Sequence, residues 1–296
     1  MIDFLKYRWL CAAFSVAIFA VFIGGYIYKL QTRGEAFIYS VDFTGGTQVL
    51  LRFSKPVTST QVIGILDAQG WQGATTRDFS QTEILIRIKA FENDAKGLAE
   101  RIKTALESAM PDTQIEILQT DSVGVGVGAS LRWKSIQSVV VALLLMLLYI
   151  WWRFWSFSYA VGNVLSLFHD AVVILAFFLL FDYEISLNVI GAILAVLGYS
   201  INDTIVIFSR IRENVKKMRN EPIEKIVNIS INETLRRTLL TSFATCLVVV
   251  ALLLFGGEAL RTLSLALLIG MVFGTYSSIY IASPIMLMLY KKEKHQ

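Results

Sequence analysis

Charge is what this sequence has least of. Only 17% of its 296 residues are Asp, Glu, Lys or Arg, against about 25% in an ordinary soluble domain. A chain so poor in charge, and 55% hydrophobic, is not a water-soluble globule throughout. Cysteine is nearly absent as well. Cys11 and Cys246 both lie in apolar runs, with no CxxC spacing and no His beside them, which argues against metal and redox roles. They read as small hydrophobes. The net charge of +4 is mild and leaves no basic footprint for nucleic acid. No cofactor and no metal are expected.

Long apolar runs stand in place of charge. A membrane span needs about 20 mostly apolar residues. The first runs from about Trp9 to Tyr28. It is longer than a signal-peptide core and no small-residue cleavage site follows, so it is expected to be retained. Five more are expected at about 133–152, 157–181, 185–208, 238–255 and 263–290, the last long enough to tilt. The expected fold class is a polytopic α-helical membrane protein with six transmembrane helices. Residues 1–30 hold the N-terminus and the first span, 31–130 a polar insert, and 131–296 the remaining spans, a segment at 210–237 and a basic tail. Charges in short loops set the direction. Lys6, Arg8, Arg153, the basic stretch from Arg210 to Arg237 and the "KKEKHQ" tail mark one side. "FDYEIS" and "GGEALR" mark the other with one Arg between them. Both termini are therefore expected in the cytoplasm and the insert outside. "EPIEKIVNISINETL", within the amphipathic segment 210–237, reads as an amphipathic helix on the cytoplasmic face, begun by Pro222 and with Ile223, Ile226, Val227, Ile231 and Leu235 at helical spacing.

The insert alternates between strand and helix periods. "TQVLLRF" reads as a strand, "STQVIGILDAQG" as a helix ended by Gly70, "GATTRDF" and "EILIRIK" as strands, "ENDAKGLAERIKTALESAM" as a helix and "TQIEILQT" as a strand. That order is βαββαβ, the ferredoxin-like split unit. A further strand over "FIYSVDF" is expected before it. The insert has no His and no Cys, and its acids are scattered among basic residues as on a solvated surface. It offers no catalytic constellation, though an open sheet can accept a strand or groove ligand.

"VDFTGGT", residues 41–47, opens the insert. A phosphate loop would follow its glycines with Lys and Ser or Thr and lead into a helix. Here Gly45 and Gly46 lead into a strand with no Lys. The expectation is a tight turn in which Asp42 bonds backbone nearby and glycine supplies positive φ.

Ionisable residues inside spans are functional candidates by default. In "GYSINDT", Asp203 is accompanied by Ser200, Asn202 and Thr204. Gly191, Ala195, Gly198 and Asn202 form a small-residue stripe suited to close helix packing, with Asp203 to its side. In the third span Asn163, Ser166 and Asp170 share a face, while His169 points away from them. Asp170 reads either as a bridge between helices or as a proton carrier, and His169 either as a hydrogen-bonded core histidine or as a relay. In "NETLRRTLLTSFAT", Arg236 and Arg237 precede a stripe of Thr238, Thr241, Ser242 and Thr245. Those hydroxyls either cap helix carbonyls or line a wet pocket at the depth of Asp203. Gly270, Gly274 and Ser277 read as a packing face.

Together these residues allow a physical device. Burial favours a neutral carboxyl and a nearby guanidinium favours an ionised one. A helix movement that brings an Arg toward Asp203 and takes it away would make the acid release and take up a proton. One charge crossing ~100 mV yields about 2.3 kcal/mol, enough to bias a two-state element well over tenfold. The bland alternative is an acid kept protonated for packing alone.

"VDFTGGT", "HD" at 169–170, "GYSINDTIVIFSRIREN", "SINETLRRTLLTS", "LFGGEALR" and "GTYSSIYIASP" resemble, in this order, the SecD/SecF family of bacterial protein-export membrane proteins, on its SecF branch. The match covers nearly the whole chain. The resemblance implies a six-span member of the RND-type superfamily in the bacterial inner membrane, with a periplasmic first domain. It implies SecD, the SecYEG channel and sometimes YajC and YidC as partners, an unfolded preprotein as substrate, and use of the proton-motive force. By the same resemblance Asp203 is the proton-carrying acid and Arg237, rather than Arg236, its partner. Ser209 stands where many relatives have an acid, Arg236 where they have Ser, and "SVGVGVGAS" lacks a proline, which would loosen the connection to the second span.

Proton coupling is thus expected to involve Asp203, Arg237, Asp170, His169 and Asn202, and Asp42, Gly45 and Gly46 to form a structural hinge. Three other functions compete. A half-size RND-type exporter of lipids or small molecules would need a lined substrate pocket. A passive scaffold would tolerate apolar residues at Asp170 and Asp203. An intramembrane enzyme would need a catalytic pair at matched depth, for which only Asp170 facing Asp203 is available.

Overall fold

A computed structural model describes residues 1–71, 73–88 and 94–294. The chain divides into two units, Met1–Ile38 with Gln137–Gln296, and Tyr39–Ile136.

The second unit is a four-stranded antiparallel sheet with two helices. β1 (Gly46–Phe53), α3 (Ser59–Ala68), β2 (Thr75–Asp78), β3 (Glu83–Ile88), α4 (Ala95–Ala109) and β4 (Ile115–Val123) follow the expected βαββαβ order. The sheet order is β2-β3-β1-β4, the ferredoxin-like arrangement. β1 pairs with β3 from Thr47↔Ile88 to Arg52↔Glu83 and with β4 from Gly46↔Val123 to Phe53↔Ile115, with a bulge between Leu50 and Leu51. Period-two alternation sends Val49, Leu51 and Phe53 into one core with Ile84 and Ile86 of β3, Val62 and Leu66 of α3, and Leu98, Ile102 and Leu106 of α4. Arg52 points the other way and pairs with Glu83 at 2.8 Å. α3 starts in a capping box between Thr58 and Gln61, and Asp94 caps α4 through the Gly97 amide at 2.9 Å. Glu92 and Asn93, where that helix was expected to begin, lie outside the described residues, as do Lys89 and the tail residues His295 and Gln296.

One local expectation is corrected. The strand over "FIYSVDF" shrinks to Ile38–Tyr39, and Val41–Thr44 form one helical turn, α2. Ser40 caps that turn: its hydroxyl accepts from the Asp42 amide at 3.3 Å and donates to the Asp42 carboxylate at 2.9 Å. The turn closes with the Gly45 amide on the Val41 carbonyl at 2.8 Å. Gly45 and Gly46 then take φ of 75° and 110°, which only glycine adopts freely. β4 ends at Val123 and α5 (Val125–Phe154) begins two residues later. Gly128 in its first turns lies so close that a Cβ there would sit 2.9 Å from the Gly45 nitrogen. The missing Cβ of Gly128 is what lets the two backbones touch.

The other unit contains α1 (Arg8–Arg33), the rest of α5, α6 (Phe157–Leu180), α7 (Leu187–Lys217), α8 (Ile223–Phe255), α9 (Gly257–Ser277) and α10 (Ser283–Lys294). Six helical stretches among the described residues are long and apolar enough to cross a membrane. α6 is the most buried of them, and α1 and α5 the least. α9 and α10 form one span through a π-helical turn at Ser278–Ala282. Pro284 explains it: the ring has no N–H for the Tyr280 carbonyl and would press on it, so the turn before it widens.

The segment 210–237 is not a separate surface helix. α7 runs on to Lys217, and α8 carries 223–237 and the fifth span as one helix. No helix breaker stands between Pro222 and Gly256. The apolar face read as amphipathic, Ile226, Val227 and Ile231, is buried, and the adjacent Ser230 accepts a hydrogen bond from Asn214 of α7 at 3.0 Å. That face meets protein, so it need not lie on lipid.

Two glycine substitutions should separate strain from space. Gly45→Val forces a β-branched residue into a glycine region at a cost of ~1–3 kcal/mol and should speed amide hydrogen exchange along residues 46–53 in the full chain. Gly64→Ala, in open space within α3, should slow exchange in the same unit, by about 0.4–1 kcal/mol of added stability.

Candidate functional site

The expected acids sit in a buried polar layer built by α6, α7, α8 and α9. Two glycines of α9 create it. A Cβ at Gly270 would come within 2.4 Å of Val196 and 2.9 Å of Ile174, and one at Gly274 within 3.1 Å of the Ser200 Cβ and 3.6 Å of Asp170 Oδ2. The absent side chains let α9 lie directly on α6 and α7, as expected for the Gly270, Gly274 and Ser277 face.

Asp203 is 3% exposed. Ser242 of α8 donates to its Oδ2 at 3.3 Å and shares a 2.8 Å hydrogen bond with Thr275 of α9. The Tyr199 hydroxyl adds a link to Thr245 at 3.4 Å. Arg237 lies one turn before Thr241 on α8, exposed, and its charge reaches Asp203. Among the described residues no ion pair within 4.0 Å joins the two. Asp203 is thus held by a hydroxyl, with a guanidinium in electrostatic range.

Asp170 is fully buried on the neighbouring face. Ser200 donates to its Oδ2 at 2.7 Å, while the Ser277 hydroxyl of α9 donates back to the Gly274 carbonyl at 3.1 Å. Thr204 and Ser278 continue the hydroxyl layer with a 2.9 Å bond. The two acids do not face each other. Ser200 turns to Asp170, Asp203 turns to Ser242, and α7 lies between. His169 sits in an aromatic nest of Phe19, Phe273 and Tyr276, yet its Nδ1 lies 3.4 Å from Asp170 Oδ1. It is therefore less remote from Asp170 than its helical position implied.

Asn202 does not join this layer. It is exposed, and so are Gly191, Ala195 and Gly198 of its stripe; a Cβ at Gly191 or Gly198 would meet nothing within 4 Å. Among the described residues the stripe packs against no helix, because α7 turns its opposite face, Val189, Ile193, Val196 and Ser200, inward. On α8, Thr241 and Thr245 bond back to the carbonyls of Arg237 and Thr241, both at 2.9 Å. Two members of the hydroxyl stripe are thus helix caps, and Ser242 alone of the four reaches an acid. Thr275, Ser278 and Tyr199 were not singled out from sequence. A Thr-Tyr-Ser-Ser run inside an apolar span was the available signal.

A second charged group was also missed. Lys29 and Arg33 of α1 converge on Asp182 in the turn between α6 and α7, both at 2.7 Å, and Lys29 also bonds the Leu179 carbonyl. Basic residues at the end of the first span, where the neighbouring short loops carry few, were the signal. Asp182 takes φ of 55°, a conformation that Asp tolerates better than most residues.

Comparison with known proteins places this geometry. The family description "Protein export membrane protein SecD/SecF, C-terminal" matches residues 101–292, and "SecD/SecF GG Motif" matches residues 37–57. The chain belongs to the SecD/SecF family. The C-terminal match contains Asp170, Asp203 and Arg237, and the GG motif contains Asp42, Gly45 and Gly46. Among SecD/SecF relatives, "Protein translocase subunit SecF" of Desulfurispirillum indicum is 38% identical over 300 residues, covering 99% of this chain and 93% of that protein. The protein of the same name from Rhodothermus marinus is 40% identical over 270 residues, covering 89% and 86%. The crystal structure of SecDF from Thermus thermophilus, a translocon-associated membrane protein, superposes with a TM-score of 0.84 at 33% identity. It matches 98% of this chain, which spans 39% of that SecDF chain.

For this SecD/SecF member the Asp182 cluster carries a pH prediction. Burial alone would raise the Asp182 carboxyl, but hydrogen bonds and charges from Arg33 and Lys29 outweigh it and hold it below its ordinary range. A depressed folded-state value means stability present above about pH 3.9, the unfolded value, and lost as pH falls through the folded one. Asp182→Asn should lower the thermal midpoint of the detergent-solubilised chain at pH 7, and should flatten the loss of midpoint that the unaltered chain shows below pH 4.

Proposed function

We propose that this chain is an accessory subunit of the Sec protein translocase that works with SecD and uses the proton-motive force to promote preprotein export. The single observation that carries the reading is Asp203: an acid buried among membrane-spanning helices, held by one hydroxyl, with Arg237 in electrostatic range on a different helix. An acid in that position is a functional group by default, and the chain that bears it is a relative of translocase subunits. In this reading Asp203 carries the proton and Arg237 is its movable counter-charge. Asp170 and His169 form a neighbouring polar group that supports or shares the transfer. Asp42, Gly45 and Gly46 have a mechanical role rather than a ligand-binding one, consistent with the close seating of Gly45 on Gly128.

The proposed setting is the bacterial inner membrane, with both termini in the cytoplasm and the Tyr39–Ile136 unit in the periplasm. SecD, the SecYEG channel, an unfolded preprotein and membrane lipid are the proposed partners, with YajC and YidC in the same assembly. The proposed role is energy coupling and not enzymatic catalysis.

Asp203→Asn keeps size and hydrogen-bonding capacity and removes the exchangeable charge. The variant should insert and accumulate as the unaltered chain does, yet export into membrane vesicles carrying SecD and SecYEG should no longer respond to an imposed proton gradient. A variant that still responds in full would refute the role given to Asp203.

A further inference from the structure

The face of α6 that carries Asp170 holds two more polar side chains, and neither has a partner. Asn163 and Ser166 are fully buried. The amide nitrogen and oxygen of Asn163 and the hydroxyl of Ser166 make no hydrogen bond within the chain. At 3.6 residues per turn the three residues fall within an arc of roughly 60°. An amide side chain offers two donors and an acceptor, and a hydroxyl offers one donor. Buried groups of this kind are nearly always satisfied, by protein or by water. A helix face that only had to fill space would carry Leu and Ala at these two positions.

The surroundings give the column a direction. One turn nearer the start of α6, Tyr159 stacks on Phe154 at 5.1 Å and meets Phe208 edge-on at 5.0 Å, all three buried. Asn163 and Ser166 thus lie along α6 between that aromatic cluster and Asp170. The titratable group facing Asp170 from its own helix is His169, and Tyr276 of α9 packs on that imidazole. From α7 the facing group is the Ser200 hydroxyl, with Asp203 turned toward α8.

We propose that Asn163 and Ser166 bind water inside the helix bundle and that this water exchanges protons with Asp170, a second proton-exchanging carboxyl beside Asp203. A hydronium at the aqueous end gives up its proton, each bound water passes one proton on as it takes one in, and the last proton lands on a carboxylate oxygen of Asp170, leaving only neutral waters behind. The reverse sequence releases it. Only O–H bonds form and break, and no other reactant is consumed. Asn163 and Ser166 are positioning residues: they hold the water and do not themselves change protonation. The water site stands on its own; its part in export rests on the function proposed above.

The test has two arms. Water-edited solid-state NMR of the full chain in lipid bilayers, with labelled asparagine and serine, should show early magnetisation transfer from water to the Asn163 amide, assigned by its disappearance in Asn163→Leu. Transfer no faster than to dry core residues would overturn the water site. Ser166→Ala, nearly isosteric, should weaken the same transfer if Asn163→Leu fails to fold. In gradient-driven export, the pair Asn163→Leu with Ser166→Ala should lose activity to the level of Asp170→Asn, and adding Asp170→Asn to the pair should cost nothing more. Unchanged gradient response with a raised thermal midpoint would mark the two as orphaned groups in a dry core and overturn the proposal. If Asp203→Asn proves silent in export, the functional reading fails while the NMR arm still decides the water site.

Discussion

A carboxyl inside an apolar slab must find its hydrogen bonds among its own helices, and the spanning unit is arranged around that demand. Two acids are taken out of water, at a cost of several kcal/mol each if charged and alone. Neither is met by a fixed cation. Each is met by a hydroxyl from a neighbouring helix: Ser200 for Asp170, Ser242 for Asp203. Hydrogen bonds between helices in a membrane average about 0.6 kcal/mol. They orient a carboxyl without clamping it, where a buried ion pair would hold it in one charge state.

The close approach of α9 follows from the same demand. A serine hydroxyl is short, so the helices bearing hydroxyls must lie almost backbone to backbone for their oxygens to reach an acid. Gly270 and Gly274 permit it against Val196 and Ser200. The segment Gly274–Ser278 then runs beside both acids, Gly274 against Ser200 and Asp170 and Thr275 bonded to the Ser242 that holds Asp203. The π-helical turn follows directly, and Ser283 bonds back to the Ser278 carbonyl at 3.0 Å. A helix already widened at this point has a backbone able to change its hydrogen bonding locally.

Much of this could be read from residue order, and the failures have physical causes. Strand and helix periods in residues 46–123 gave the βαββαβ unit because one face of every element is buried in one core. The six spans followed from length and hydropathy alone. Asp203 stood out because charge is scarce there. What failed was which side of a helix faces protein. The stripe Gly191, Ala195, Gly198 and Asn202 has the spacing of a packing face, yet the same spacing suits a face left bare by this chain. α8 was cut in two because polarity changes near Arg237, while a helix ends only where caps or breakers end it. The strand expected at 37–43 gave way to a Ser40 cap, a local hydrogen bond stronger than β-propensity over a few residues.

The spacing between Asp203 and Arg237 has an energetic consequence. At an effective dielectric of about 20, opposite unit charges attract by about 4 kcal/mol at 4 Å and about 2 kcal/mol at 8 Å. Between those two separations the attraction changes by ~2 kcal/mol, close to the ~2.3 kcal/mol that one charge gains across 100 mV. An acid and a guanidinium already locked in contact would have to be pulled apart against both their attraction and the cost of leaving a buried charge unpaired. A pair far out of range would feel no difference between two helix positions. In the proposed cycle the useful arrangement lies between these limits, with the acid resting on Ser242 and the guanidinium on another helix, near enough to act. The continuity of α8 matters for this reason. Arg237 and Ser242 ride on the same rigid element, little more than one turn apart, so any shift of α8 that moves the counter-charge also moves the hydroxyl that holds the acid. Hydrogen bonding and electrostatics at Asp203 change together, and one helix movement acts on both.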